Sequence, residues 1–249
     1  MPKNFIKQKK GLLITFFSVF LVVCLIIANY LSLLLIKTNN TSESVQNSDF
    51  ELHLLSLAKS QVENEAISLS ADYQKIGAGG YIWFYDNYYH VISSAYSNKN
   101  DAILVQNSIK TNQNIDSEIF TVKFDAIKVF GNFDSEQVKV LTASLNCFQK
   151  FYLDIYDIAI SLDTAVYNEI SARLAVNNAH NSLATTLANF ETLFQDNSNL
   201  KGLYDALKSA NQISQLLCSG TLLNNNQTYS SLLKYRYLEI LNLYQNIEL

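Results

Sequence analysis

The chain has 249 residues and a formal charge of −4, with 18 Lys and Arg against 22 Asp and Glu. Setting aside the four lysines of the first ten residues leaves 14 basic against 22 acidic groups, so the bulk of the chain stands at −8. That acidic balance argues against nucleic-acid binding and against adhesion to anionic lipid head groups, since both need basic patches.

Lys3, Lys7, Lys9 and Lys10 precede an apolar run over residues 11–36, broken by isolated Thr15, Ser18, Asn29 and Ser32. At about 1.5 Å per residue, the run is long enough to cross a ~30 Å hydrocarbon layer with some tilt. The positive-inside tendency then keeps residues 1–10 in the cytoplasm as a tail and puts everything after Ile36 outside. A cleaved signal peptide is the first rival. Its apolar core is normally about 7–15 residues and ends at small residues, whereas this run leaves through Leu33, Leu34, Leu35 and Ile36. A lipoprotein anchor at Cys24 is disfavoured by Val23 before it and the apolar residues after it. The expected layout is a single-pass protein of the cell membrane, touching lipid through residues 11–36.

Residues 37–50 are polar and aperiodic, as a linker is. Leu52, Leu55, Ala58, Val62, Ala66 and Leu69 then recur at three- and four-residue steps, which predicts an amphipathic helix from Glu51 to Asp72. Gly77, Gly79 and Gly80 stop it, so residues 51–80 read as a helix and hinge.

From Tyr81 to Tyr96 the aromatic and β-branched composition predicts strands. Ser97 to Asp101 supply helix-capping chemistry before Ala102, Val105 and Ile109. A second strand is expected over 119–124 and a third over 126–130, followed by a turn at Gly131-Asn132. Asp134, Ser135 and Glu136 cap another helix containing Val138, Leu141, Leu145 and Phe148.

No glycine stands between Gly131 and Gly202, and the chain's one proline is Pro2. Helical spacing continues through Tyr152, Ile155, Ala159, Leu162, Val166 and Ile170, as one long helix or two abutting ones. It resumes through Leu183, Leu187, Phe190 and Phe194 and breaks at Asn197-Ser198-Asn199. Further helices are expected over 200–217 and 228–247, separated by a loop at Asn224-Asn225-Asn226. Residues 151–249 therefore read as a helical bundle whose apolar stripes are a possible dock for a protein partner. The fold class is α+β.

Little in the chain suggests catalysis. Cys147 and Cys218 read as buried thiols in helices, although one disulfide between them is allowed. His53, His90 and His180 are scattered, and no Cys/His spacing suits a metal. Gly77-Ala78-Gly79-Gly80 lacks the Lys-Ser/Thr of a phosphate loop. Asp154 and Asp157 read as solvated surface carboxylates. No catalytic residue, cofactor or metal is expected.

Two segments share a strand–turn–helix grammar. One is Val91-Ile92-Ser93-Ser94-Ala95-Tyr96-Ser97-Asn98, with Ala102 in the following helix. The other is Phe130-Gly131-Asn132-Phe133-Asp134-Ser135. With a strand between them, residues 81–150 resemble the SPOR (sporulation-related repeat) domain family. Its members place small-aromatic-Ser-Asn before a first helix and Val-Gly-x-Phe-Ser-Ser before a second. Ile92 stands at the family's glutamine and Ser94 at its first glycine. The resemblance implies a small ferredoxin-like sheet with helices on one face. It also implies non-catalytic binding to peptidoglycan glycan strands stripped of stem peptides, in cell division or sporulation. Tyr88, His90, Ile92 and Ser94 share one side of an ideal strand. That side includes the family's sugar-facing position, so these four are the expected ligand contacts.

Overall fold

The structure, a computed structural model, describes residues 43–219 and 227–248. The expected cytoplasmic tail and membrane span lie outside the described residues. Among the described residues no helix is long and apolar enough to cross a membrane.

Two short strands, β1 (Glu43–Gln46) and β6 (Lys128–Gly131), form a two-stranded sheet. The main sheet contains β2 (Phe50–Ser60), β3 (Tyr81–Tyr85), β4 (Tyr88–Tyr96) and β5 (Glu118–Phe124). Their order is β3-β4-β2-β5, and every neighbouring pair is antiparallel. Helix α1 (Glu63–Lys75) follows β2, and α2 (Lys99–Gln113) follows β4. Residues 50–124 therefore run β-α-β-β-α-β, the succession of a split β-α-β unit. Four longer helices follow: α3 (Ser135–Asp163), α4 (Glu169–Phe194), α5 (Lys201–Ser219) and α6 (Tyr229–Gln245).

The sheet-and-helix unit thus begins at Phe50 rather than at residue 81. The helix expected from Glu51 is strand β2 as far as Ser60, and helix only from Glu63. Its leucines explain the misreading. Leu52 and Leu54 face one way, Leu55 and Leu57 the other, and all four are buried. A central strand covered on both sides loses strict alternation and mimics helical spacing. The third expected strand forms as β6, but it pairs with β1 and not with the main sheet. A domain boundary at 150 falls inside α3.

Local chemistry sets the remaining boundaries. Asp86 and Asn87 both have positive φ, 48° and 63°, as a two-residue hairpin turn of matching twist requires. The Asn98 side chain accepts from Asn100 N and caps α2. Asp134 and Gln137 form a capping box on α3, as do Asn168 and Ser171 on α4. The long apolar stripe after Leu141 is broken at Thr164, with Ala165 at φ 57°, so it makes two helices.

One compact unit takes in the main sheet and the six α-helices of the described residues. Helices α1 and α2 cover Leu55, Leu57, Ile119 and Tyr96 through Tyr73, Ala102, Val105 and Ile109. At the end of the sheet where β4 leads into α2, α6 closes over it. Tyr235 meets Tyr81 at 5.2 Å, Tyr237 reaches Ser94, and Tyr244 packs on Phe50 at 5.3 Å. Cys147 is buried in α3 and Cys218 half-buried in α5; both are free thiols.

A candidate glycan-binding surface at the hairpin end of the sheet

The β3–β4 hairpin projects beyond the cover that α6 provides. Register puts Tyr81, Trp83 and Tyr85 of β3 opposite Ile92, His90 and Tyr88 of β4. On the far edge, Phe120 and Phe124 of β5 share that face. Trp83 is sealed, with Phe124 at 6.4 Å. Tyr85 is 43% exposed and lies flat on Phe120, their ring centres 4.7 Å apart and their planes at 9°. Phe120 also meets the His90 ring at 4.8 Å. Lys59 at the end of β2 sits 5.3 Å over the Tyr88 ring.

Charged groups border the rings. Lys59 Nζ donates to Glu118 Oε2 at 2.9 Å, and that bond with its Coulomb attraction raises the ammonium's pKa. Glu118 Oε1 lies 3.1 Å from His90 Nδ1 without the alignment of a hydrogen bond. Ser56 Oγ is 3.3 Å from the same nitrogen and donates to the Ala58 carbonyl. Burial holds the His90 pKa below its ordinary value of 6.5; Glu118 pulls it up and Lys59 pushes it down. The imidazole is therefore neutral at physiological pH. Beside it, Ser56 to Lys59 and Asp116 to Glu118 line a cleft of about 240 Å³.

The four expected ligand residues divide into two pairs. Tyr88 and His90 sit at this open end, Tyr88 half-buried and His90 beneath the rings. Ile92 and Ser94 have almost no exposed surface, 0% and 1%, and so are closed to a ligand. The four do not share a face either. Ser56 pairs with Ile92 and Leu55 with Ser94, so a bulge at Ser93 turns Ser94 to the other side. Sequence reading missed Tyr85, Phe120, Lys59 and Glu118. The aromatic run signalled Tyr85, but only strand pairing brings β5 and the end of β2 beside it.

The other histidines serve packing. His53 Nδ1 lies 2.9 Å from Thr121 Oγ1 across β2 and β5, and His180 Nδ1 lies 2.7 Å from Ser214 Oγ between α4 and α5. Ser214 is fully buried and donates to the Asn211 carbonyl, so it is not presented to a substrate. Among the described residues no group of three or more His, Cys, Asp or Glu is placed to hold a metal ion.

These features define an α+β protein with one open aromatic sheet end and a charged rim. No protein-family model matches the chain, and no curated protein does. Among solved structures, the chain is similar to the solution structure of the peptidoglycan binding domain of the B. subtilis cell wall lytic enzyme CwlC. The identity is 22%, over 30% of this chain and 95% of that one, with a TM-score of 0.27. A likeness of that size decides neither fold nor ligand.

Proposed function

We propose that this chain is a non-catalytic, membrane-tethered binder of cell-wall glycan, acting outside the cell membrane in division or sporulation. One observation carries the reading: the stacked Tyr85–Phe120 pair lies half open beside the Lys59–Glu118 rim. Sugar rings pair an apolar face with equatorial hydroxyls. A half-exposed tyrosine platform flanked by hydrogen-bonding groups suits both features. Support for wall glycan comes from the SPOR-like segments. Val91 to Asn98 ends β4 and caps α2, and Phe130 to Ser135 ends β6 and enters α3, each keeping the strand-to-helix grammar. Tethering rests on the apolar run at residues 11–36.

The test is co-sedimentation of the full chain, held in mild detergent, with isolated cell walls stripped of stem peptides. Recovery with the walls is expected. Recovery no greater than in a wall-free control would overturn the proposal. Protease added to intact protoplasts should digest the C-terminal part; its survival would overturn the topology.

A second reading, a tethered scaffold that docks protein partners, is favoured by a separate feature. Val166, Ile170 and Leu174 at the α3–α4 turn are 72%, 81% and 64% exposed. Exposed apolar stripes at helical spacing mark contact surfaces. Crosslinking in membranes that captures one protein, with or without wall material, would support it over wall binding.

A further inference from the structure

A second cleft, of about 330 Å³, lies on the helix side of the sheet, where Leu57 packs against α2. Its floor is buried: Leu57, Ala78, Ser93, Tyr96 and Lys234 are 4–8% exposed. Its rim at Ile76, Gln113 and Thr164 is exposed, so the cleft opens to solvent. Val105, Ile109 and Ile160 extend the apolar lining.

The sheet is irregular at this floor. Ser56 pairs with Ile92, flanked by Leu55 with Ser94 and Ala58 with Val91. Ser93 of β4 and Leu57 of β2 therefore stand opposite no residue of the partner strand. Two bulges cancel in register, and both unpaired residues line the same cleft. Bulges re-aim side chains and are frequent beside binding sites.

Ser93 and Lys234 are brought together by Gly79. Its N–H donates to the Ser93 carbonyl at 2.8 Å, and an added Cβ would come within 3.1 Å of Lys234 Cβ. Lys234 Nζ donates to the Gly77 carbonyl at 2.9 Å and lies 2.5 Å from Asp163 Oδ2. An ammonium has three protons and accepts nothing, so one proton is unspent among the described residues. The Ser93 hydroxyl likewise has no hydrogen-bond partner among them, although the residue is 93% buried. The Tyr96 hydroxyl is engaged by Ser94. Two donors thus border an apolar cleft, and Asp163 already balances the charge of Lys234.

We infer that this cleft binds a small neutral molecule with an aliphatic body and a carbonyl oxygen, such as a ketone, ester or amide. The oxygen accepts from Ser93 and Lys234, and the body lies against Leu57, Val105 and Ile109. At the ~30 Å³ share of a water-sized group, the space suits about eleven non-hydrogen atoms. A carboxylate would be desolvated beside Asp163, and an amine would bring a second ammonium to Lys234. The site is independent of the glycan-binding reading, because Leu57 faces away from the Tyr85–Phe120 platform.

The test uses the full chain in amphipol, carbon-13-labelled at isoleucine methyls, titrated with heptan-2-one, heptanoate and heptylamine at pH 7. Heptan-2-one should give saturable shifts at Ile76, Ile109 and Ile160, which line the cleft, and none at Ile213 and Ile240, which do not. Heptanoate and heptylamine should bind at least about tenfold more weakly. Ser93→Ala should weaken heptan-2-one about tenfold through the lost hydrogen bond. Val105→Phe, which fills the cleft from α2, should abolish the saturable shifts.

Shifts that never saturate, or that appear equally at Ile213 and Ile240, would mean partition into the amphipol and overturn the site. Tighter binding of heptanoate would overturn the choice of a neutral ligand. Full heptan-2-one affinity in folded Ser93→Ala or in Val105→Phe would overturn the assigned contacts.

Discussion

Tyr237 and Ser94 are 143 residues apart in the chain, and their hydroxyl oxygens lie 2.6 Å apart inside the protein. The same tyrosine oxygen accepts from the Ala95 N–H at 2.6 Å. Tyr237 has no exposed surface, and burial pushes its phenol far above the ordinary value, so it stays a protonated donor. This contact ties α6 to β4. It makes the C-terminal helix part of the sheet's core rather than a separate bundle, and it closes Ser94 to any ligand.

Tyr237→Phe leaves the ring in place and removes the bridging oxygen. The Ala95 N–H and the Ser94 hydroxyl lose a partner, and an unsatisfied buried group costs about 1–3 kcal/mol. Urea unfolding should show a lower midpoint with an unchanged slope, and glycan binding at temperatures well below unfolding should be unaffected. An unchanged midpoint would contradict the role given to this contact.

His90 makes stability depend on pH. Its folded-state pKa lies below 6.5, chiefly through burial, so the folded protein binds fewer protons than the unfolded chain in that range. The stabilisation from keeping it neutral is complete above about pH 6.5 and is lost as pH falls through the folded pKa. The urea midpoint should therefore decline from pH 7 toward pH 5.5. His90→Gln should flatten that decline, and an equal decline in the variant would place the titrating group elsewhere.

Much of this was legible where local chemistry decides. The caps at Asn98 and Asp134 are side-chain groups adjacent to the helices they start, and their residue types announce them. The glycine stop after α1 and the strands at the aromatic run follow from backbone freedom and β propensity. What stayed hidden depends on distant partners. Strand β2 carries leucines on both faces because helices cover one side and aromatic residues the other, and its spacing alone resembles a helix. The bulge at Ser93 changes which residues share a face, and alternation counted along the sequence cannot register it. Nor does the stretch from Tyr88 to Ser94 contain any sign that α6 seals its second half.

Tyr85 should carry glycan affinity. It is exposed enough that truncation costs little stability, while its ring is the open half of the pair with Phe120. Tyr85→Ala is expected to weaken binding to stripped glycan strands about tenfold, and Tyr85→Phe to retain most of it. Phe84→Ala is the control. Phe84 is 60% exposed but points to the opposite face and packs on Tyr89. Equal losses at Phe84 and Tyr85 would mean that general hydrophobicity, not the platform, drives binding.

Gly80 joins α1 to β3 where the chain has no room and an unusual backbone. Its φ is +70°, and an added Cβ would come within 2.9 Å of the Ser70 carbonyl oxygen and 2.7 Å of Gln74 Cγ. Its carbonyl also accepts from Ser70 Oγ, and its N–H donates to the Ile92 carbonyl at 2.8 Å. Gly80→Ala therefore combines backbone strain with a backbone clash, and a loss of about 2–4 kcal/mol is expected. Gly77 has a similar φ of +91° but nothing within 4 Å, so Gly77→Ala should lose only the strain, about 1–2 kcal/mol. Comparing the two unfolding midpoints separates crowding from dihedral strain. Equal losses would show that the close approach to Ser70 and Gln74 relaxes at no cost.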